Sequence, residues 1–316
     1  MNKTMDLFDL HCDTAFECAT KLGGADINKG ARHISLARAG YLNNWRQVFA
    51  IFMPDEYRGE AAERHYERVR DYLHRQAKIF PREFVIANDS DGFHDNAAKC
   101  RAIISVEGGS ALAGKIERVQ SLYNDGVRLI TLTWNDSNEL ADGIRAEKGR
   151  GLTDFGRNAV REMNRLHMAV DVSHLSDAGF YDVAEISEAP FVASHSNARK
   201  LCGNARNLTD DMISIISSRG GVIGLNFYVG FLREDENAHM TDILRHAEYM
   251  LSLGCENCLC LGSDFDGCDI PPDMSGIESM GELYEHFLRL NYSEDLVKKI
   301  FSRNAENYFK KYIFED

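Results

Sequence analysis

Short runs of apolar and β-branched residues recur along this chain, separated by longer stretches in which apolar positions return every three or four residues. The first pattern predicts strands and the second amphipathic helices. Strands are expected at 6–10, 46–52, 102–106, 127–131, 168–172, 190–194, 221–226 and 258–263. Helices are expected at 60–79, 153–166, 177–186, 209–218 and 240–253, and the tail 293–312 reads as two closing helices. The stretch 60–79 is charged on one face and carries Tyr66, Val69, Tyr72 and Leu73 on the other. Thr153-Asp154 and Ser293-Glu294-Asp295 offer N-caps with acidic first turns. Strands alternating with helices imply an α/β fold with a parallel sheet, and the strand count is that of a (β/α)8 TIM barrel. No repeat, linker or low-complexity tract divides the sequence, so one domain over 1–316 is expected.

Composition narrows the class without changing it. The 316 residues suit one barrel of about 250 residues with added loops and closing helices. At 44% hydrophobic and 27% charged, the chain is an ordinary soluble globular protein. A net charge of −13 argues against a nucleic-acid groove or an anionic membrane as partner. No run approaches the ~18 apolar residues of a membrane span, and no signal-peptide core or anchor signal is visible, so a cytoplasmic location is expected. Cys255-x-x-Cys258-x-Cys260 looks like half of a zinc or redox motif. Its last two cysteines fall in an apolar run, and core filler is the expected role. No phosphate-binding loop of the G-x-x-x-x-G-K-[ST] type is present.

The chemistry lies at the ends of the predicted strands. His11-Cys12-Asp13 closes the first, and residues two apart on a strand point the same way, so His11 and Asp13 can share one metal. Glu107-Gly108-Gly109 closes the third strand and Asp171-Val172-Ser173-His174 the fifth. Ser194-His195-Ser196 closes the sixth and Ser263-Asp264-Phe265-Asp266-Gly267 the eighth. Each residue alone has a bland reading as a core histidine, a cap or a turn. Together they place three His, two Asp and one Glu at the C-terminal end of one sheet, where barrel enzymes keep their sites. Nitrogen and oxygen ligands of this kind suit zinc, with a carboxylate available to bridge two ions.

These motifs resemble the membrane (renal) dipeptidase family over nearly the whole chain. His11-x-Asp13, Val106-Glu107-Gly108-Gly109, Ser173-His174-x-Ser176, Ser194-His195-Ser196, Ala205-Arg206-Asn207 and Gly262-Ser263-Asp264-Phe265-Asp266-Gly267 stand in family order, as does 33–40. The 21-residue spacing of His174 and His195 also fits. The resemblance implies a binuclear zinc centre with two Zn2+ per chain. One ion would be bound by His11, Asp13 and Glu107, the other by Glu107, His174 and His195. Asp264 would lie by the first ion and shuttle the proton. Arg206 would bind the free carboxylate of a dipeptide, with Tyr228 as a second candidate. Hydrolysis by metal-activated hydroxide, tolerance of a D-residue at the C-terminal position, and a homodimer are further implications.

The sequence departs from the renal enzyme at Trp134, where that enzyme has a histidine that contacts substrate. Trp134 and the adjacent Asn135 are therefore candidate substrate contacts, although indole donates one N–H and cannot become a cation. Two other readings stay open on the sequence. One is a different metal-dependent amidohydrolase on the same barrel acting on a cyclic amide or ester. It is disfavoured by the lack of His-x-His on the first strand and of a lysine on the fourth. The other is a non-catalytic metal-binding scaffold, disfavoured because no ligand position is lost.

Overall fold

A computed structural model describes residues 5–29, 31–95 and 97–315. Its strands are β1 (Met5–Cys12), β2 (Leu42–Phe52), β3 (Phe84–Ile86), β4 (Cys100–Glu107), β5 (Val127–Thr131), β6 (Ala169–Asp171), β7 (Ile223–Leu225) and β8 (Leu259–Leu261). All ladders are parallel, in the order β6-β5-β4-β2-β1-β8-β7, and the short β3, unforeseen in the sequence, pairs with the start of β4. The result is a curled parallel α/β sheet with helices between the strands.

The strand expected at 190–194 does not form as such. It is reduced to two bridges, Val192 to Asp171 of β6 and Ala193 to Ile223 of β7. Pro190 has no N–H to give to a ladder. The Val192 and Ala193 amides still bond to Val170 O and Val222 O, but the two that follow are diverted to side chains: Ser194 N donates to Asp171 Oδ1 at 2.9 Å, and His195 N to Ser173 Oγ at 3.2 Å. Side-chain bonds thus replace the ladder where the chain must present His195.

Two apolar layers flank the sheet. On its inner side Phe8, Leu10, Val48, Ile103, Leu129, Val192, Val222 and Cys260 cluster with Tyr308, Phe309 and Phe314 of the tail. Phe309 lies 5.1 Å from Phe8, and Phe314 stacks on Phe93 at 4.6 Å. The tail is one continuous helical run instead of two helices: Glu294–Lys298, Lys299–Arg303, Asn304–Phe309 and Lys310–Phe314 follow without a break, two of the four being π-helical. It covers the end of the sheet where strands begin, with Asn304 Nδ2 on Leu259 O and Tyr308 Oη on Pro190 O, each at 2.8 Å. The opposite end is left for the site. Cys255 and Cys258 are buried in the outer layer and Cys260 in the inner one, as expected of core filler.

The longer helices fall close to expectation because their caps are legible. Thr153, Ser176, Thr209 and Ser293 each accept the amide three residues on. One register shift in β1 was not legible. The pairing moves from Asp9↔Gln47 to Cys12↔Phe49, which places one extra residue in β1. Phe8 and Leu10 face the inner layer and Cys12 the outer one. The bulge between them returns His11 to the inner side.

Buried His246 ties this fold to pH. It accepts Ala198 N at Nδ1 (3.2 Å) and faces Leu232 O with Nε2 (3.1 Å). Burial pushes its pKa down to about 4. Above about pH 6.5 it is neutral folded and unfolded, so nothing is lost there. As pH falls from 6.5 toward 4, only the unfolded chain takes the proton, and stability drops by up to about 3 kcal/mol. Urea titrations across that window should show the loss, and His246→Gln, which cannot titrate, should flatten part of it.

Candidate metal centre

The strand ends converge on one pit. His11 Nε2 lies 3.4 Å from Asp13 Oδ2, 3.6 Å from Glu107 Oε2 and 3.9 Å from Asp264 Oδ1. His174 Nε2 and His195 Nε2 lie 3.0 and 3.5 Å from the other oxygen, Glu107 Oε1. All six residues expected to bind metal are thus brought together. His174 (φ 67°), Asp264 (φ 60°) and Asp266 (φ 68°) sit in the left-handed region, which Asp and His enter more readily than most residues. Such local strain is common where side chains are aimed at a site.

Two buried aspartates hold this arrangement from below. Asp171 accepts from Thr131 Oγ1 at 2.6 Å and from Ser194 Oγ at 2.5 Å, as well as from the amides of Ser173 and Ser194. Asp9 accepts from Ser263 Oγ at 2.5 Å, Ser263 N at 2.7 Å and Gln47 Nε2 at 2.9 Å. Each bridges a gap between neighbouring strand ends. Burial raises the Asp9 carboxyl above its usual range against these hydrogen bonds. Asn226 adds a bond from Nδ2 to Asp264 Oδ2 at 3.1 Å.

The donor set fits a cation. Ser194 Oγ gives its proton to Asp171 and so accepts from His195 Nδ1 at 2.7 Å. Asn135 Oδ1 likewise accepts from His174 Nδ1 at 3.0 Å. Both rings then present bare Nε2 lone pairs, 2.9 Å apart, and two lone pairs repel unless an electrophile sits with them. His11 Nδ1 and Nε2 and Asp13 Oδ1 are buried without a hydrogen-bond partner. His11, Glu107 and His195, and separately His11, Asp13 and Asp264, offer ligand atoms within 4.8 Å of one another.

Electrostatics agree. Burial pushes His11 down, but the charges of Glu107, Asp13 and Asp264 outweigh it and hold its pKa at about 10. Burial pushes Glu107 well up, and Asp264 up to about 6 with Asp13 adding to the shift. His174 and His195 are driven down by burial and by the charges of Arg206 and His11. Three crowded carboxylates with bare imidazoles are a cost without a metal and a ligand set with one.

A cleft of about 720 Å³ opens above the pit, lined in part by Phe52, Trp134, Arg145, Arg206, Tyr228 and Asp264. Arg206 is buried, with Nη1 on Ser196 Oγ at 2.8 Å, Nη2 on His195 O at 3.1 Å, and Nε without a partner. Tyr228 lines the same wall. Trp134 packs edge-on against Phe52 at 4.9 Å and stands 6.4 Å from His174. Asn135 lines the cleft too, although its amide oxygen is engaged by His174. Sequence reasoning missed Asp9, Asp171, Ser194 and Asn226. Asp-x-His11 and Asp171-x-Ser173 repeat the two-residue step of the ligands, which was the available signal.

Comparison with known proteins agrees with this geometry. The profile of the membrane dipeptidase family, peptidase family M19, matches residues 1–312. Mouse Dipeptidase 3 is 28% identical over 293 residues, which is 90% of this chain and 59% of the mouse protein. The chain therefore spans less than two thirds of that relative. A crystal structure of an M19 metallopeptidase, dipeptidase AC, superposes with a TM-score of 0.91 at 26% identity, covering 99% of this chain and 100% of the other. A Rhodobacter sphaeroides metallopeptidase, solved with a phosphinate mimic of L-Ala-D-Ala, gives 0.89 at 26% identity over 98% and 99% of the two chains.

Proposed function

The chain belongs to the membrane dipeptidase family, peptidase family M19, and from that premise we propose that it is a zinc-dependent dipeptidase with a binuclear centre. The observation that carries the reading is the split of Glu107: Oε2 faces His11, and Oε1 faces His174 and His195. A carboxylate turned this way would help hold two ions, one with His11 and Asp13 and the other with His174 and His195. Zinc bound there would polarise the scissile carbonyl and make a water acidic enough to attack it near neutral pH.

The protein's own residues supply the rest. Asp264 has one oxygen toward His11 and the other on Asn226, so it is oriented to take a proton at Oδ1 and pass it to the leaving amine. Arg206, which lines the cleft with a positive charge, would receive the terminal carboxylate of the substrate, and Tyr228 lines the same cleft. A buried guanidinium at that depth selects dipeptides, because a longer chain has no carboxylate to present there. Trp134 and Phe52 form the apolar side of the cleft, and Asn135 orients His174. Tolerance of a D-residue at the C-terminal position is supported by the L-Ala-D-Ala mimic held by the Rhodobacter relative.

In the same reading 1–316 is one domain, a (β/α)8 barrel in which the strand between β6 and β7 is shortened to the bridges at Val192 and Ala193. It acts as a cytoplasmic homodimer on small dipeptides. No helix among the described residues is long and apolar enough to cross a membrane.

The test is an assay of zinc-loaded protein on paired L,L- and L,D-dipeptides, with a chelated sample and an N-blocked tripeptide alongside. Chelator-sensitive cleavage of dipeptides alone is expected, with two zinc ions per chain by elemental analysis. Intact dipeptides despite two bound ions would overturn the reading.

A further inference from the structure

The charges that line the cleft do not balance. Of the acids outside the pit, Glu17 is paired with Lys21 at 2.9 Å and Asp269 with Arg32 at 3.0 Å. Asp266 is taken up by Thr14 Oγ1 at 2.6 Å and by the amide of His33 at 2.7 Å. Two guanidinium groups are left over. One is Arg206, on the floor. The other is Arg145, at the rim, whose side chain has no carboxylate within ion-pair reach among the described residues.

Arg145 is exposed, yet its backbone is not loose. Its N–H donates to Asn135 O at 2.8 Å, and the N–H of Ile144 donates to His174 O at 2.8 Å. Gly143 bridges to Leu175, and any Cβ there would run into the Trp134 and Asn135 carbonyls. The segment is stitched directly onto the end that presents His174. Its position sets the guanidinium over the His174 side of the cleft, near enough to His174 and Tyr228 for its charge to act on both.

A dipeptide with neutral side chains brings one carboxylate, which satisfies Arg206 alone. Two unpaired guanidinium groups match a substrate with two. We propose that Arg145 is a specificity residue that receives a side-chain carboxylate, so that the preferred substrates are dipeptides with Asp or Glu as the C-terminal residue. The C-terminal position is assigned because Arg145 and Arg206 line one cleft and Arg145 stands close enough to Tyr228 to act on it electrostatically, Arg206 receiving the terminal carboxylate in the dipeptidase reading on which this inference rests. The contact is a charged hydrogen bond at a rim that substrate itself desolvates.

The experiment compares kcat/KM for Ala-Asp and for the isosteric, uncharged Ala-Asn, each with the C-terminal residue in L and D form, on wild-type protein and on Arg145→Met. Wild type should prefer the aspartyl substrate by about tenfold, carried mainly in KM. In Arg145→Met the ratio should fall toward one. Arg145→Glu should press it below one through like-charge repulsion. A wild-type ratio near one overturns the inference and leaves the dipeptidase reading standing. So does a tenfold ratio that survives Arg145→Met, because some other group then reads the side chain. Equal losses on both substrates would mean that Arg145 holds the terminal carboxylate, which also overturns it. Failure of zinc-loaded wild type on every dipeptide would instead bring down the reading beneath.

Discussion

Glu107→Gln should lower kcat/KM on dipeptides by at least about 10³-fold and reduce bound zinc from the proposed two ions per chain to one or fewer. The substitution preserves shape and removes a charge. Glu107 is the side chain among the described residues whose two oxygens face different halves of the pit, 3.6 Å from His11 and 3.0 Å from His174. An amide can offer one oxygen, so one half loses its link to the other. The same change should not weaken the metal-free fold. Burial already pushes the Glu107 carboxyl well above its usual range, which means that the ionised form is disfavoured in the folded chain. A neutral amide avoids the proton uptake that this shift imposes on folding near neutral pH, which offsets the loss of the Glu107 charge beside His11. Metal-free Glu107→Gln should therefore melt no lower than metal-free wild type, while zinc should raise its melting temperature less. A variant that keeps two zinc ions and stays within tenfold of wild-type activity would rule out the bridge.

Much of this was legible in the sequence because ligands at strand ends obey a simple period. His11 and Asp13 stand two apart, and Glu107, His174, His195 and Asp264 each follow an apolar run, so a barrel mouth could be assembled on paper. Helix starts were legible for an equally local reason, a hydroxyl that accepts the amide three residues on. What stayed hidden depends on contacts distant in sequence. The bulge in β1 exists because Asp9 and Cys12 keep different registers with β2. Simple alternation would have put His11 on the same side as Leu7, which faces the outer layer. The strand at 190–194 is apolar enough to be predicted, yet Asp171 and Ser173 capture the Ser194 and His195 amides that a ladder would need. Asp171 itself looked like one more polar residue near a motif, when it is the strap that orients His195 through Ser194. The tail read as two helices because π turns shift the apolar face and imitate a break.

Gly267→Ala should cost about 10²-fold in activity while leaving the circular dichroism spectrum intact. The glycine is not needed for a left-handed backbone, since no positive φ is recorded there. It is needed for space. A Cβ at 267 would run into Asp13 Oδ2 and Asp264 Oδ1, one a proposed zinc ligand and the other the proposed proton carrier. Asp264 cannot retreat freely, and Asp13 can do so only by rotating its side chain away from the pit. Asp264 is held by Asn226 and by its own amide on His11 O at 3.2 Å, and the Asp13 amide is fixed on Phe265 O at 2.9 Å. A methyl group must therefore turn both carboxylates by a fraction of an ångström to an ångström, and misplacement on that scale costs about two orders of magnitude in a preorganised site. Zinc affinity should fall with activity, most at the ion shared by His11 and Asp13. Gly254→Ala provides the contrast: that glycine has φ +87° and open space around its Cβ, so its cost should appear in stability and not in turnover. If Gly267→Ala were to turn over dipeptides like wild type, the Asp264 carboxylate would have to be looser than its bond to Asn226 implies, and it would lose its standing as an oriented proton carrier.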